Sequence, residues 1–399
     1  MEESIVKSNA SLEELSNNSG DFWIQTVPTL EAPSQLRFAI DAYAAYHPVV
    51  VTGILNHWPA LSKWDKNYLT TVVRNKVGIN LTPDGHGDCV KNIGDRKQFV
   101  YPAEVSVKMS TFFHLLENEQ PGAAVPYLSQ QNDNLRTDME CLMSDIDPSL
   151  PLVDEVFGGC APEAVNLWIG DERSVSSIHK DHYENMYAVI QGEKCFTLFP
   201  PTDIAFFPED TFPTSRYVLR EEAQAVLREF DVSSQPLPSS SISSSSSYND
   251  IGSRLNLTGD DLSLVNNSNG NNLSWLPFDP EDSSASLLAD HPQLRHSHPI
   301  RVRVQAGQVL YIPAMWYHRV SQSQFTIAVN YWYDQRFDHR YSLAYHLRNG
   351  SIMLSSYFFL VWCMNRYVFF QLAKSLQLNR SSSHEEDRST SASTAIIDR

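Results

Sequence analysis

The chain has 399 residues, 42% of them hydrophobic and 11% aromatic, which is enough for one large globular domain or two ordinary ones. Its formal net charge of −17 argues against nucleic-acid binding, which needs a basic surface, and favours a basic protein or peptide as partner. Five cysteines with no C-x-x-C pair, and no apolar signal run at the N-terminus, predict a reduced intracellular protein. We expect it in the cytoplasm, with the nucleus as the alternative location.

The first part of the chain is predicted to alternate helices and strands after a flexible start. Residues 1–24 are rich in Glu, Ser and Asn, and we expect them to form a flexible N-terminus. From residue 25 onwards apolar residues recur at helical or strand spacing, which indicates an ordered region. The expected helices are 34–46, 66–74 and 109–118, the last with Ser110 as N-cap, and the expected strands are 49–51, 77–82, 122–131 and 165–169.

The stretch 174–201 carries two metal-ligand side chains two residues apart. His179 and Asp181 would point to one face of an extended strand, because strand side chains alternate with period two. Lys194 lies fifteen residues after His179, beyond a turn-like Gly192 and inside an apolar run. A lysine there cannot easily reach water, so it implies an anionic partner in the fold or in a ligand. This stretch therefore predicts a metal site beside an acid-binding lysine.

A third metal ligand is predicted after residue 300. His318 follows an aromatic pair, close to the end of the middle one of three strand-like runs. Two histidines and one carboxylate form the facial triad of non-haem Fe(II) oxygenases, which leaves three coordination positions open for a cosubstrate and dioxygen. The expected strands are 300–304, 309–312 and 326–333, with a polar loop at 321–324 before the last one.

The histidine-rich segments and Lys194 also allow other interpretations. His182 competes with its neighbour Asp181 as a ligand, but on a strand it would point to the opposite face, which favours a structural or supporting role. Lys194 could instead lie on the solvated face of its strand. A cluster of histidines before residue 300 could bind a metal, but a solvated loop fits its surroundings better; its members are His291, His296 and His298.

Four further polar residues carry little signal by themselves. The hydroxyl groups of Tyr127 and Ser176 could join Lys194 in holding a carboxylate. The amide groups of Asn185 and Asn330 could hydrogen-bond a cosubstrate or another ligand.

Residues 233–274 differ from the rest of the chain in composition. Serine fills most of 239–247, and asparagine and glycine dominate 266–272. Such a segment cannot bury enough apolar surface to offset the entropy lost on ordering. We expect a disordered insertion in a surface loop, which is tolerated because loop-closure entropy grows slowly with length.

The C-terminal segment 346–380 contains the most apolar run of the chain, residues 351–372. Its length approaches the roughly 20 residues that cross a bilayer. Asn365 and Arg366 interrupt the run, and an arginine at the centre of a membrane helix costs about 2.5–3.5 kcal/mol. We therefore expect a helix buried in the fold or in a dimer interface rather than a membrane anchor, followed by a disordered tail at 381–399.

Together these motifs resemble the jumonji-C (JmjC) family of Fe(II)- and 2-oxoglutarate-dependent oxygenases. The matching pattern is H-x-D at His179 and Asp181, Asn185 six residues after the first histidine, Lys194 fifteen after it, and His318 at the end of Y-I-P-A-M-W-Y-H. The N-terminal stretches HPVVVTG, HWPALSKW and TPDGHGD also resemble members of this family.

The resemblance covers about residues 25–232 and 275–345, and it implies one oxygenase domain over 25–345 that the insertion interrupts. It implies a mainly β fold with surrounding helices, built on a double-stranded β-helix (cupin-like jelly roll). The C-terminal region matches less well. In the family that region often builds a homodimer, which leaves dimerisation open here.

The resemblance also assigns roles to the site residues. It implies that His179, Asp181 and His318 bind a catalytic Fe(II), which the keto-acid end of 2-oxoglutarate chelates. For that cosubstrate it implies a carboxylate contact at Lys194, helped by Tyr127 and Ser176, and a pocket lined by Asn185 and Asn330.

By resemblance, the expected activity is dioxygen-dependent hydroxylation of a protein, namely of a lysine at C-3 in a developmentally regulated GTP-binding protein. Two rivals inside the family are a histone lysine demethylase, which would release formaldehyde, and a histone-tail peptidase. The acidic charge disfavours a hydroxylase acting on tRNA. We therefore expect a lysine-bearing protein substrate, with no nucleic acid and no membrane as partner.

Overall fold

The computed structural model describes residues 23–233, 255–267 and 272–335. Within them two β-sheets form a double-stranded β-helix (jelly roll), and short helices and two smaller sheets pack outside it. The predicted mainly β fold with surrounding helices is confirmed. The described part contains no helix that is long and apolar enough to span a bilayer, and its four cysteines are free thiols.

The strands are numbered along the chain. The six-stranded sheet contains, in spatial order, β1 (Thr29–Glu31), β2 (Val49–Thr52), β17 (Val309–Ile312), β11 (Tyr183–Gln191), β19 (Thr326–Asp334) and β9 (Ala164–Gly170). The five-stranded sheet contains, in spatial order, β16 (Ile300–Gln305), β12 (Glu193–Phe199), β18 (Tyr317–Gln322), β10 (Val175–Lys180) and β4 (His86–Gly87).

Two smaller sheets complete the β structure. An accessory sheet contains β14 (Leu262–Asn266), β13 (Asp210–Leu219), β6 (Arg96–Tyr101) and β5 (Cys89–Ile93), with β15 (Asn272–Trp275) also paired to β13. A three-stranded sheet contains β7 (Ala103–Val107), β3 (Val77–Thr82) and β8 (Val125–Tyr127).

Short helices connect these strands. The α-helices are Gln35–Phe38, which continues as a π-helix over Ala39–Ala44, and Ala60–Lys63, Lys66–Val72, Met109–Leu116, Asn134–Thr137, Glu221–Ser233 and Ala285–Asp290. Short 3₁₀-helices are Glu140–Asp145, Pro201–Phe206, Gly259–Asp261 and Pro292–His296.

The register of the five-stranded sheet sets the positions of the predicted site residues. β10 pairs antiparallel with β18 so that His179 lies opposite His318. On its other edge β18 pairs with β12, which puts Lys194 opposite Gln322. Gly192 joins β11 to β12 with φ +78°, a left-handed conformation that favours glycine, and so it starts the strand that carries Lys194. Residues far apart in sequence are thereby brought onto neighbouring strands.

The N-terminal helix packs against the six-stranded sheet through Phe38. Phe38 is fully buried, and its ring centroid lies 5.1 Å from that of Tyr311 and 6.2 Å from that of Phe157. Leu36, two residues earlier on the same helix, is 60% exposed. The helix therefore contributes to the core through one aromatic side chain, while its opposite face meets solvent.

Trp23 falls in the segment predicted to be flexible, yet it is buried. Its Nε1 donates to Thr202 Oγ1 at 2.9 Å, and its ring meets that of Trp316 edge-to-face at 5.4 Å. The prediction is wrong at this residue, because the partners of the indole lie far away in sequence. Other predicted segments lie outside the described residues, namely 1–22, 234–254, 346–380 and 381–399.

The predicted disordered insertion is wrong for the parts that are described. Strand β14 lies inside it and β15 begins inside it, and both pair with β13. Leu255 and Leu257 are buried in the main core. The short alternations D-L-S-L-V and N-L-S-W supply apolar residues at strand spacing, and β13 supplies the edge that pairs with them. Serine and asparagine between these alternations dominate the composition and hide this signal.

Two local predictions are also wrong. Helix Met109–Leu116 begins one residue before Ser110, with Lys108 at the N-cap position. A distant carboxylate serves this helix start instead, because Asp231 accepts from the Lys108 backbone N–H at 2.7 Å and from the Thr111 hydroxyl at 2.8 Å. The polar loop predicted at 321–324 begins two residues too early, since β18 continues through Gln322.

We expect Phe38→Ala to lower the free energy of unfolding by about 3–5 kcal/mol, because it removes a fully buried aromatic ring and leaves a cavity. Leu36→Ala on the same helix is the matched control and should change it by no more than about 0.5 kcal/mol. Urea denaturation measures both values. Equal losses in the two variants would contradict this account of the helix.

Candidate metal centre and its cleft

Two imidazoles and one carboxylate converge at the open end of the five-stranded sheet. Asp181 Oδ2 lies 3.5 Å from His318 Nε2 and 4.0 Å from His179 Nε2. The ligand atoms of the three side chains all lie within 4.8 Å of one another, and they form the one such group of His, Cys, Asp and Glu among the described residues. These three residues could therefore hold one metal ion, as predicted from their spacing.

Backbone carbonyls fix both imidazoles in the orientation that metal binding requires. His179 Nδ1 lies 2.7 Å from the Ser177 carbonyl oxygen, and His318 Nδ1 lies 3.1 Å from that of Trp316. A carbonyl oxygen can only accept, so each Nδ1 carries the proton and each Nε2 keeps its lone pair for a metal. The outer hydrogen bonds thus select the tautomer that binds through Nε2.

The electrostatics of the triad also suit a cation. Burial lowers the pKa of His179, and the neighbouring His318 lowers it further. Burial alone would raise the pKa of Asp181, but the neighbouring side chains of His318 and His179 hold it below its usual range. A neutral imidazole beside an ionised carboxylate is the protonation state in which such side chains bind a metal.

Lys194 is completely buried, so the interpretation that it faces solvent is wrong. Its Nζ donates to the Tyr127 hydroxyl at 3.0 Å and to Gln322 Oε1. No carboxylate among the described residues forms an ion pair with it. Burial lowers the pKa of Lys194 to about 7. The anion that the sequence predicts is therefore not supplied by the residues that the structure describes.

Gln322 is the residue that holds Lys194 in place, and sequence reasoning missed it. Its Nε2 donates to the carbonyl oxygens of Asp171 at 2.6 Å and of Ser174 at 2.8 Å, which leaves Oε1 to accept from Lys194. The amide is thus oriented with its oxygen toward the ammonium group. Its position in the sequence could have indicated this role, because Gln322 follows His318 by four residues and so lies on the same face of β18.

The other predicted site residues lie around the triad in two places. A small cavity of about 20 Å³ is lined by the triad together with Ser176, Asn185 and Asn330. Asn330 Nδ2 donates to Asn185 Oδ1 at 3.3 Å, and Trp168 Nε1 donates to Asn330 Oδ1 at 2.8 Å. The two amides are therefore held in one network beside the candidate ligands.

Tyr127 lies between this cavity and Lys194. Its hydroxyl interacts with the Ser176 side chain as well as with the Lys194 ammonium, and burial raises its pKa, so it stays protonated. A Cβ on Gly170 would lie 2.8 Å from the Tyr127 ring, which explains a glycine at the end of β9. Tyr127 and Ser176 are thus brought together with Lys194, as predicted.

A larger cleft of about 630 Å³ opens onto His179 and Asp181. The accessory sheet forms its far wall, with Phe99, Arg216 and Trp275 among the lining residues. The Trp275 ring lies nearly parallel to that of His179, at 8° and 6.5 Å between centroids. Trp275 directly follows the segment predicted to be a disordered insertion, so its place beside a candidate ligand was not foreseen.

The remaining histidines are not part of this centre. His182 is exposed, and its Nδ1 lies 3.2 Å from Gln335 Nε2. His298 Nδ1 lies 2.8 Å from Oδ1 of the buried Asp203, so this histidine is engaged elsewhere. His291 and His296 join no group of metal-ligand atoms among the described residues.

The chain is similar to known proteins over most of its length. Residues 35–339 match the family model of a cupin-like domain. The chain is 34% identical to the human bifunctional peptidase and (3S)-lysyl hydroxylase JMJD7 over 318 residues, which are 79% of this chain and 86% of that protein. The chain belongs to the cupin-like JmjC family of oxygenases.

Other relatives within this JmjC family carry different names. The chain is 35% identical to lysine-specific demethylase JMJ32 of Arabidopsis thaliana over 323 residues, 78% of this chain and 82% of that protein. It is 31% identical to JmjC domain-containing protein E of Dictyostelium discoideum over 336 residues, 80% of this chain and 86% of that protein. Family membership therefore establishes a JmjC oxygenase and leaves its substrate open.

We expect the wild-type JmjC chain to bind one Mn²⁺, used as a redox-stable probe for this centre. Asp181→Ala should weaken binding by more than the roughly 10- to 100-fold that loss of an outer partner costs, because a ligand itself is removed. Titration followed by the paramagnetic resonance of free Mn²⁺ measures the affinity.

His182→Ala is the control for this experiment, since it removes an adjacent histidine that lies outside the triad. It should leave the Mn²⁺ affinity unchanged. A folded Asp181→Ala protein with wild-type affinity, or a loss confined to His182→Ala, would contradict the assignment of the ligands.

Proposed function

We propose that this protein is an Fe(II)- and 2-oxoglutarate-dependent oxygenase that hydroxylates a lysine side chain of another protein at C-3. The observation that carries the proposal is the completely buried Lys194, whose described partners are neutral and whose partner Tyr127 also interacts with Ser176, a residue of the cavity that the triad lines. A buried cation without an anion is costly, and a dicarboxylate chelating an adjacent metal would supply that anion.

The donor set fits Fe(II). His179 and His318 would each bind through Nε2, and Asp181 would bind through its carboxylate, which leaves room for 2-oxoglutarate and dioxygen. When bound, Fe(II) and 2-oxoglutarate supply the oxidation of a substrate C–H bond by dioxygen, with succinate and carbon dioxide as co-products. The protein binds the reactants, orients them and limits the access of water.

Lys194 and Tyr127 would hold the distal carboxylate of 2-oxoglutarate. An ammonium–carboxylate hydrogen bond is roughly twice as strong as a neutral one, and here both partners are removed from water. Tyr127, kept protonated by burial, would donate a second hydrogen bond. Gln322 would keep its oxygen on the ammonium group and so fix its direction.

The Asn185–Asn330 pair would border the metal end of the cosubstrate. Trp168 donates to Asn330 and thereby fixes which way the amide faces, so its Nδ2 points toward Asn185. A fixed amide offers hydrogen bonds in one arrangement only, which favours one pose of the keto acid. The role of Asn185 and Asn330 rests on their match to positions that line the cosubstrate pocket in the JmjC family.

A lysine in a protein is the substrate favoured by two observations. The human relative is named a (3S)-lysyl hydroxylase, and the chain carries a net charge of −17, which attracts basic segments. Developmentally regulated GTP-binding proteins are the substrates that the family resemblance suggests. We take a lysine-bearing segment of such a protein as the first substrate to test.

Lysine demethylation is the second candidate, favoured by the name of the Arabidopsis relative. It would use the same residues on an N-methyl group and release formaldehyde. The name of the human relative also includes a peptidase activity. The present sequence has neither an H-E-x-x-H motif nor a nucleophile elbow that would support such an activity.

The deciding experiment incubates the protein with Fe(II), 2-oxoglutarate and a lysine-bearing peptide from a GTP-binding protein, and follows the peptide by mass spectrometry. We expect one oxygen atom to be added to the lysine only when all components are present. Formaldehyde release from a methylated peptide without such a gain would favour the demethylase. A folded, iron-loaded protein that turns over no 2-oxoglutarate would contradict both.

Lys194→Met should weaken 2-oxoglutarate binding by roughly 10- to 100-fold, because a charge-assisted hydrogen bond of about 1.5–3 kcal/mol is lost. It should leave the protein folded, since methionine fills similar space without a buried charge. Calorimetric titration of the Mn²⁺-loaded protein measures the affinity. Lys66→Met is the control, because it removes a lysine whose side chain is 40% exposed. If the Lys194→Met and Lys66→Met variants bind 2-oxoglutarate equally well, the cosubstrate does not bind at Lys194.

Binding of 2-oxoglutarate should also be linked to proton uptake. Lys194 has a pKa lowered to about 7, so above neutral pH it is largely deprotonated, and an arriving carboxylate raises that pKa again. The affinity should therefore fall as the pH rises above 7, by at most about tenfold per unit. Calorimetry at pH 8 in two buffers of different ionisation enthalpy measures the uptake, which Lys194→Met should abolish.

A further inference from the structure

One carboxylate in the large cleft has no role in the metal or cosubstrate sites. Asp88 lies in the turn between β4 and β5 with φ +50°, and it lines the cleft together with His179. Its carbonyl oxygen accepts from Ser177 Oγ, and the Ser177 carbonyl in turn accepts from His179 Nδ1. The turn is thus fastened to the same strand that orients a candidate metal ligand.

Asp88 differs from the other acidic residues on this side of the molecule. Glu104 is paired with Arg216 at 2.7 Å, Asp84 with Lys91 at 2.7 Å, and Asp279 with Arg319 at 2.7 Å. No donor among the described residues is hydrogen-bonded to the Asp88 carboxylate.

Burial raises the pKa of Asp88 to about 6, while the charge of Arg216 opposes this shift and that of Glu104 adds to it. A carboxylate in such surroundings becomes more stable in its charged form when a cation approaches it. An ammonium group that enters the cleft would therefore stabilise the ionised form of the Asp88 carboxylate.

Aromatic rings extend from the metal centre along the wall of the cleft. Trp275 lies parallel to His179, and its centroid is 4.8 Å from that of Phe99, which lies 4.9 Å from Tyr101. Trp275 Nε1 is buried and has no acceptor among the described residues, so the ring also offers a donor. Such a surface suits the methylene chain of a long cationic side chain, whose charged end reaches beyond it.

We propose that Asp88 binds the ammonium group of the substrate lysine and that Trp275 packs against its methylene chain, an inference that rests on the proposed lysyl hydroxylation. Asp88, Trp275 and His179 line the same cleft, and the backbone carbonyl of Asp88 is bonded to Ser177, two residues before His179. From C-3 to the ammonium nitrogen an extended lysine spans roughly 5 Å at standard bond lengths.

The test compares two peptides and two variants at equilibrium. The peptides are a lysine-bearing GTP-binding-protein peptide and the same peptide with norleucine, which keeps the carbon chain but lacks the ammonium group. Asp88→Asn keeps the shape of the side chain and removes its charge. Asp84→Asn removes an equal charge from an exposed ion pair nearby and is the matched control. Fluorescence anisotropy with the Mn²⁺- and 2-oxoglutarate-loaded protein measures each affinity.

We expect Asp88→Asn to weaken the lysine peptide by roughly 10- to 100-fold and to leave the norleucine peptide unchanged, whereas Asp84→Asn changes neither. Retained Mn²⁺ and 2-oxoglutarate binding shows that the variant is folded. An equal effect on both peptides, or no effect on either, would overturn the assignment of Asp88.

Oxidation of the peptides is measured separately, so that the two proposals can fail independently. A lysine peptide that binds through Asp88 but gains no oxygen contradicts the proposed hydroxylation and leaves the subsite standing. A peptide that is oxidised on lysine equally well by the wild type and by Asp88→Asn supports the hydroxylase and overturns the subsite. Trp275→Ala should weaken both peptides alike, because both keep the methylene chain.

Discussion

The buried charge of Lys194 is the constraint on which the candidate site depends. An ammonium group with no access to water needs compensation, and the described fold gives it only a phenol and an amide oxygen. Gln322, oriented by two backbone carbonyls, and Tyr127, accommodated by the absence of a side chain at Gly170, hold that group in one place. The fold thus keeps an incompletely neutralised cation at a fixed position, on the strand next to the one that carries His318. A fixed cation of this kind favours the binding of a carboxylate.

The register of the five-stranded sheet positions both the metal-ligand histidines and Lys194. β18 lies between β10 and β12, so a single strand presents His318 opposite His179 and Gln322 opposite Lys194. A slip of this strand by one residue would turn both side chains away from the site. The predicted metal ligands and the predicted cosubstrate-binding lysine are therefore positioned by the backbone pairing of the same three strands. The accessory sheet then adds a wall to the cleft, with Trp275 beside His179.

Much of this arrangement could be predicted from sequence because its signals are short in range. His179 and Asp181 share a face through the strand period, and the strands around His318 are bounded by turn residues. Other features depend on partners that lie far away in sequence. Trp23 is ordered by Thr202 and Trp316, the start of the helix at Met109 is served by Asp231, and the strands inside the serine- and asparagine-rich region form because β13 offers edges. Composition cannot reveal such pairings, so Trp275 and Gln322 were missed.

The claim that one metal and one 2-oxoglutarate share this site is tested most directly by spectroscopy. Fe(II) is added to the protein without oxygen, and 2-oxoglutarate is then titrated while the visible absorption is recorded. The account predicts a new charge-transfer band that saturates at one metal and one 2-oxoglutarate per chain, because the keto acid chelates the iron. A folded protein that binds Fe(II) but develops no band with 2-oxoglutarate would contradict it.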